Sequence, residues 1–115
     1  MGYVDNIENI FQAMPVNTSI IICDASLEMS YLLDLLEARN FPCMTLSTTS
    51  REEMERYPNK VIMSTSYEIN HDASWDILSK MPIDCVFFIG QDTFKKCITT
   101  CTTRPFEKKP FFFIF

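Results

Sequence analysis

Ser19 to Leu46 reads Ser-Ile-Ile-Ile-Cys-Asp-Ala-Ser-Leu-Glu-Met-Ser-Tyr-Leu-Leu-Asp-Leu-Leu-Glu-Ala-Arg-Asn-Phe-Pro-Cys-Met-Thr-Leu. The hydrophobic period changes twice along it. Ser19–Cys23 is a short apolar run without alternation, the pattern of a strand buried on both faces of a parallel sheet. Asp24 and Ser26 both carry side-chain oxygens able to cap a helix start. Leu27, Tyr31, Leu32, Leu35 and Leu36 then recur at helical spacing and form one apolar face. Asn40 ends that helix, Pro42 cannot continue it, and Phe41–Leu46 reads as a second strand. Strand, helix and strand of these lengths make a right-handed βαβ unit.

The same alternation runs outward in both directions. Upstream, Val4, Ile7, Ile10, Phe11 and Met14 lie at helical spacing, so residues 1–15 read as an amphipathic helix that docks on the domain and stops at Pro15. Val16–Thr18 reads as a loop. Downstream, Ser50 and Glu53 form a capping-box pattern for a short helix through about Tyr57, broken at Pro58-Asn59. Lys60–Thr65 is a third strand and Ser66–Ala73 a polar loop. Ser74–Lys80 is a short helix with Trp75, Leu78 and Ile77 inward. Asp84–Ile89 is a fourth strand, followed by a helix capped by Asp92 that runs through about Thr100, with Phe94, Cys97 and Ile98 inward. Phe111–Phe115 is a fifth strand. The expected fold is a three-layer α/β/α sandwich on a mostly parallel, five- to six-stranded Rossmann-like sheet over residues 16–115.

Composition narrows the function classes. The chain has 115 residues, 47% of them hydrophobic, which suits one globular core. No apolar run approaches the roughly 20 residues of a membrane helix, so no membrane partner is expected. Fifteen acidic against ten basic side chains give a net charge of −5, which exerts no general pull on phosphate backbones. Five cysteines, an odd number, fit buried free thiols in a reducing, cytoplasmic setting better than a disulfide framework. Gly2 and Gly90 are the only glycines, and no phosphate-cradling loop can be written from them. No cofactor is therefore expected.

Three side-chain groupings carry some chemistry. His71, the single histidine, stands beside Asp72, which could orient it as a general base. Cys97 and Cys101 lie four apart on one helix face, but no Cys-x-x-Cys accompanies them as a structural zinc site would have it; packing plus one partly exposed thiol is the plainer reading. Lys95, Lys96, Arg104, Lys108 and Lys109 put five of the ten basic side chains within 15 residues. They are interleaved with Thr99, Thr100, Thr102 and Thr103, a mixture that suits nucleic-acid phosphates as well as a solvated face. Phe111–Phe115, Phe-Phe-Phe-Ile-Phe, is core if central and an aggregation hazard if it forms an uncovered edge.

Taken in order, these pieces resemble the C-terminal RecA-like lobe of superfamily-2 helicases, DEAD-box RNA helicases in particular. Ile20-Ile21-Ile22-Cys23 with Asp24-Ala25-Ser26 resembles the lobe's first motif, and Leu35–Phe41 the end of the helix behind it. Val61-Ile62-Met63-Ser64-Thr65-Ser66 resembles the strand of the fifth motif, Cys85–Ile89 the next strand, and Lys96–Arg104 falls at the arginine-rich sixth motif. The departures are specific. Ser66 replaces the fifth motif's first Asp, and Asn70-His71-Asp72-Ala73 stands where Arg-Gly-x-Asp belongs. Thr99-Thr100-Cys101-Thr102-Thr103-Arg104 leaves only Arg104 of the sixth motif's arginines, which in the family stabilise charge on the transferred phosphate. The resemblance thus implies no ATPase activity and a folded lobe kept for binding: a scaffold with a protein partner or a homodimer, as degenerate lobes serve in some Tudor-domain proteins of germ-line RNA granules and the small-RNA pathway. The alternative it implies is weak RNA binding through Thr65, Lys95, Lys96, Arg104, Lys108 and Lys109. A receiver-type domain is the nearest competitor. It fits worse, because its phosphoacceptor Asp should end the third strand, where Ser64-Thr65-Ser66 stands.

Overall fold

The isoleucine run of residues 20–22 is fully buried at the centre of the sheet. The computed structural model describes residues 2–14, 18–57 and 60–115. The elements follow as α1 (Gly2–Ala13), β1 (Thr18–Ile22), α2 (Ser26–Ala38), β2 (Cys43–Thr45), α3 (Arg51–Arg56), β3 (Lys60–Ser64), α4 (Ser66–Ile69), α5 (Asp72–Leu78), β4 (Ile83–Phe88), α6 (Gln91–Thr103) and β5 (Phe111–Ile114). Pro15, Val16 and Pro58-Asn59, expected as helix stop, loop and break, lie outside the described residues. Thr18 opens β1 instead of closing that loop.

All five strands are parallel, in the order β2-β3-β1-β4-β5. This differs from the flavodoxin-like order 2-1-3-4-5 on which receiver domains are built, because β1 lies between β3 and β4 and not between β2 and β3. Each strand side chain faces one of two cores. Ile21, Val61, Met63, Cys85 and Phe87 join Ile7 of α1 and Leu32 and Leu36 of α2 on one face. Ile20, Ile22, Ile62, Val86 and Phe88 join Met54 of α3, Ile69 of α4, Trp75 and Leu78 of α5, and Cys97 and Cys101 of α6 on the other. The result is a three-layer α/β/α sandwich. Right-handed crossovers explain the division: β1 to β2 runs one way across the sheet, and every later connection runs back. No helix among the described residues is long and apolar enough to cross a membrane.

Several local expectations change. α2 turns its buried stripe to Leu32 and Leu36, with Met29, Leu33 and Leu35 partly covered, while Leu27 is 87% exposed and Tyr31 is exposed as well. Neither Asp24 nor Ser26 caps α2: its N-cap is Ala25, and no side chain bonds there. Ser66–Ala73 is not a loop; it holds α4 and the start of α5. Cys101 and Cys97 are both buried, so neither thiol is half out of the helix face. At the start of α6 the N-cap is Gly90 at φ 97°, a conformation open to glycine, and Asp92 sits in the first turn without capping it. By contrast, Ser50 accepts from the Glu53 amide at 3.2 Å and caps α3 as read.

The end of α2 shows how one residue sets the register of the βαβ unit. Asn40 lies in the left-handed region at φ 63°. The Asn40 amide donates to Glu37 O and the Phe41 amide to Leu36 O, both at 3.0 Å, a Schellman closure. It delivers Phe41 to the α1–α2 core, edge-on to Phe11 at 5.1 Å. Asn40→Gly should therefore leave stability unchanged or higher, whereas Asn40→Val should cost about 1–2 kcal/mol, the penalty for a side chain forced left-handed. Chemical denaturation checks this, and equal stability of the two variants would refute the role of this turn.

Candidate functional site

β1 is the strand whose following helix leaves for the opposite face from those that follow β3 and β4, its neighbours on both sides. A crevice opens at the carboxyl ends of such strands, where open α/β sheets bind ligands. Here it is a cleft of about 390 Å³ lined by Cys23, Asp24 and Ala25 after β1, Glu28 of α2, Ile89 and Gly90 after β4, and Gln91, Asp92, Thr93 and Lys96 of α6. The chain is fixed there by backbone bonds: the Cys23 amide to Ser64 O at 2.9 Å, the Ile89 amide to Ile22 O at 3.0 Å, and the Gly90 amide to Phe115 O at 2.8 Å.

Asp24 is the hub of this end. Its carboxylate accepts from the Ser66 amide at 2.7 Å and from the Ser66 hydroxyl. It also accepts from Thr93 Oγ1 at 3.5 Å and lies 3.8 Å from Lys96 Nζ. The first amide of α4 is thus satisfied from β1, while Thr65 caps the same helix by accepting from the Glu68 amide at 3.2 Å. Burial alone would raise the Asp24 pKa. The two Ser66 bonds, the Lys96 charge and the Thr93 hydroxyl outweigh it and hold the carboxyl below the ordinary aspartate range. The Ser at position 66 belongs to this arrangement, since a carboxylate there would face Asp24 at hydrogen-bonding range and repel it.

The cleft does not have the chemistry of a phosphate or nucleophile site. α2 and α6, 13 residues each, both begin here without a side-chain cap, but Asp24, Glu28 and Asp92 stand against the single ammonium of Lys96. That balance repels phosphate. The Cys23 thiol is pushed up to about 11 by burial and by Glu28 and Asp24, against a backbone hydrogen bond to Ala25, so it stays protonated near neutral pH and is a poor nucleophile.

The residues singled out from the sequence are not gathered into one site. Thr65 is used as a helix cap. Lys95 and Lys96 are exposed on the first half of α6, by the carboxyl ends of the strands, with Lys96 paired to Asp24. Arg104, the C-cap of α6, is ion-paired with Asp72. Lys108, paired with Asp84 near the start of β4, and Lys109 precede β5 at the opposite end of the sheet, by the amino ends of the strands. The expected His71–Asp72 pair is not made: the Asp72 carboxylate meets Arg104, and the exposed His71 ring lies 5.5 Å from Tyr67. Among the described residues no three His, Cys, Asp or Glu side chains gather as metal ligands. Cys97 and Cys101 are buried in the α6 core with thiols raised to about 11 and about 12, chiefly by burial. Asp24 and Ser66 escape sequence reasoning because they meet across 42 residues.

Asp24→Ala should lower stability at pH 7 by about 1.5–3 kcal/mol, the range for hydrogen bonds to a charged group. Because the folded pKa is depressed, this contribution is fully present above the unfolded aspartate value of about 3.9. It fades as pH falls through the folded value. The gap between wild type and variant should therefore be flat from neutral pH to about 4 and narrow below it. Denaturation curves across that range test the point, and a gap that is flat to the lowest pH would refute it. Compared with protein-family models and with curated proteins, the chain finds no match.

Proposed function

We propose that this chain is a degenerate helicase-C-like lobe without ATPase activity that acts in a reducing, cytoplasmic setting as a protein-interaction module. Its interaction surface is the open β5 edge, and its partner is a second copy of the same chain. The carrying observation is that edge. β5 pairs with β4 on one side alone. Phe111 is 63% and Ile114 40% exposed, and no charge lies between Phe111 and Phe115. Edge strands are ordinarily guarded by charge, proline or brevity. The other edge, β2, has three residues and runs into the polar Ser47–Ser50. The RNA reading is weakened, since Lys96, Arg104 and Lys108 already meet carboxylates of their own chain.

The ladder defines how two copies fit. The Phe115 amide donates to Phe88 O, and its carbonyl accepts from Gly90. The alternation of a parallel ladder then turns the N–H and C=O groups of Phe112 and Ile114 to the open side. A two-fold axis through Phe113 pairs Phe112 of each copy with Ile114 of the other in an antiparallel, isologous join. Light scattering coupled to size exclusion, at two protein concentrations and in low and moderate salt, should give twice the chain mass. Phe111→Lys with Ile114→Lys should return it to a monomer. Phe113→Cys should cross-link to itself on mild oxidation, since Cα atoms of a non-hydrogen-bonded antiparallel pair stand about 4.5 Å apart. A monomer under all these conditions would overturn the self-association.

A further inference from the structure

A second concavity lies at the other end of the sheet, below the amino ends of β1 and β3. It encloses about 270 Å³ between α3 and the chain leaving α5. Thr18 and Lys60, the first residues of their strands and register partners, line it. The walls are Met54, Ile77, Met81 and Pro82, with Arg51, Glu55 and Lys80 around them. Lys60 is 7% exposed. An ammonium has three donors, and that of Lys60 gives one to the Tyr57 carbonyl at 2.7 Å, completing the end of α3.

The charges in this cavity are unbalanced. Lys60, Arg51 and Lys80 face one carboxylate, Glu55, and Glu55 is itself held by Arg51 Nε at 3.0 Å. Burial pulls the Lys60 pKa below the ordinary lysine range, with Glu55 opposing. A buried cation among methionine and isoleucine side chains is costly without a counter-charge. The volume falls just under the roughly 300–1,000 Å³ of sites for drug-sized ligands, which is too small for a nucleotide. A single buried ammonium matches a monoanion, and a phosphate dianion would lose more hydration on entry. We propose that this cavity binds a small carboxylate on a short aliphatic or aromatic body, its anionic end on the Lys60 ammonium and its body against Met54, Ile77 and Met81.

The test uses octanoate, with octanol and octylamine as chain-matched controls, titrated into isotope-labelled protein and followed by amide NMR. Octanoate should shift the Met54, Ile77 and Met81 amides saturably, while the alcohol and amine bind at least about tenfold more weakly, the factor for a charged hydrogen bond. Lys60→Met, which keeps the aliphatic stem, should lose affinity by a similar factor. In unaltered protein, saturating octanoate should protect Lys60 from reductive methylation, read by mass spectrometry, and leave Lys95 and Lys109 unprotected. This arm holds even if the variant fails to fold. Absent saturation, equal binding of octylamine, a folded Lys60→Met variant of unchanged affinity, or unprotected Lys60 would each overturn the proposal.

Discussion

β1 has a strand on each side and a helical layer on each face, so every side chain from Thr18 to Ile22 is out of water. Removing three isoleucines from solvent contributes about 1.5–3 kcal/mol each, and it requires both faces to be covered. The connection order meets that requirement by sending α2 one way and the later helices the other. The enclosure ends at Asp24, the first charged side chain after the run. A carboxylate there cannot lie against the apolar layers, and it is held by Ser66, Thr93 and Lys96. The departure of β1 is thereby tied to both α4 and α6, on the face that α2 does not cover.

The basic run of residues 95–109 shows why adjacency in sequence is a poor guide to a charged surface. α6 advances about 1.5 Å per residue, so Lys96 and Arg104 are roughly 12 Å apart along its axis. Each meets a carboxylate from a different element: Asp24 for Lys96, Asp72 for Arg104, and Asp84 for Lys108. Exposed pairs contribute little to stability, a median of about 0–1 kcal/mol. Their effect here is electrostatic. They divide the run between two ends of the sheet and cancel much of its field in an already acidic chain.

What the sequence makes legible follows from which forces are local. The β1–α2–β2 unit, the apolar strands, the Ser50 cap and the stop at Asn40 depend on period, propensity and short-range hydrogen bonds. They were readable in advance. The inward face of α2 was displaced, because Leu27 and Tyr31 share the helical period with the true stripe; only the position of the sheet decides which stripe is covered. α4 has four residues, too few for a period, and its start depends on Thr65 and on Asp24 from 42 residues upstream. The same remoteness hid the candidate site. In sequence Asp24 stands as a cap for its own helix and Asp72 as a partner for His71, whereas the groups they meet, Ser66 and Arg104, lie 42 and 32 residues away.

The two ends of the sheet differ in a way that bears on any ligand chemistry. At the carboxyl end, where α/β folds ordinarily bind phosphates, two helices begin without side-chain caps, yet three carboxylates surround one ammonium. The helix dipoles favour an anion and the side chains oppose it; at short range a full charge outweighs the half-charge of a helix terminus. At the amino end the balance reverses, with three cations around one carboxylate over an apolar floor. At the carboxyl end Asp24 and Ser66 instead tie the loops after β1 and β3 directly to each other. Of the two clefts, it is the one beside Lys60 in which positive side chains outnumber negative ones.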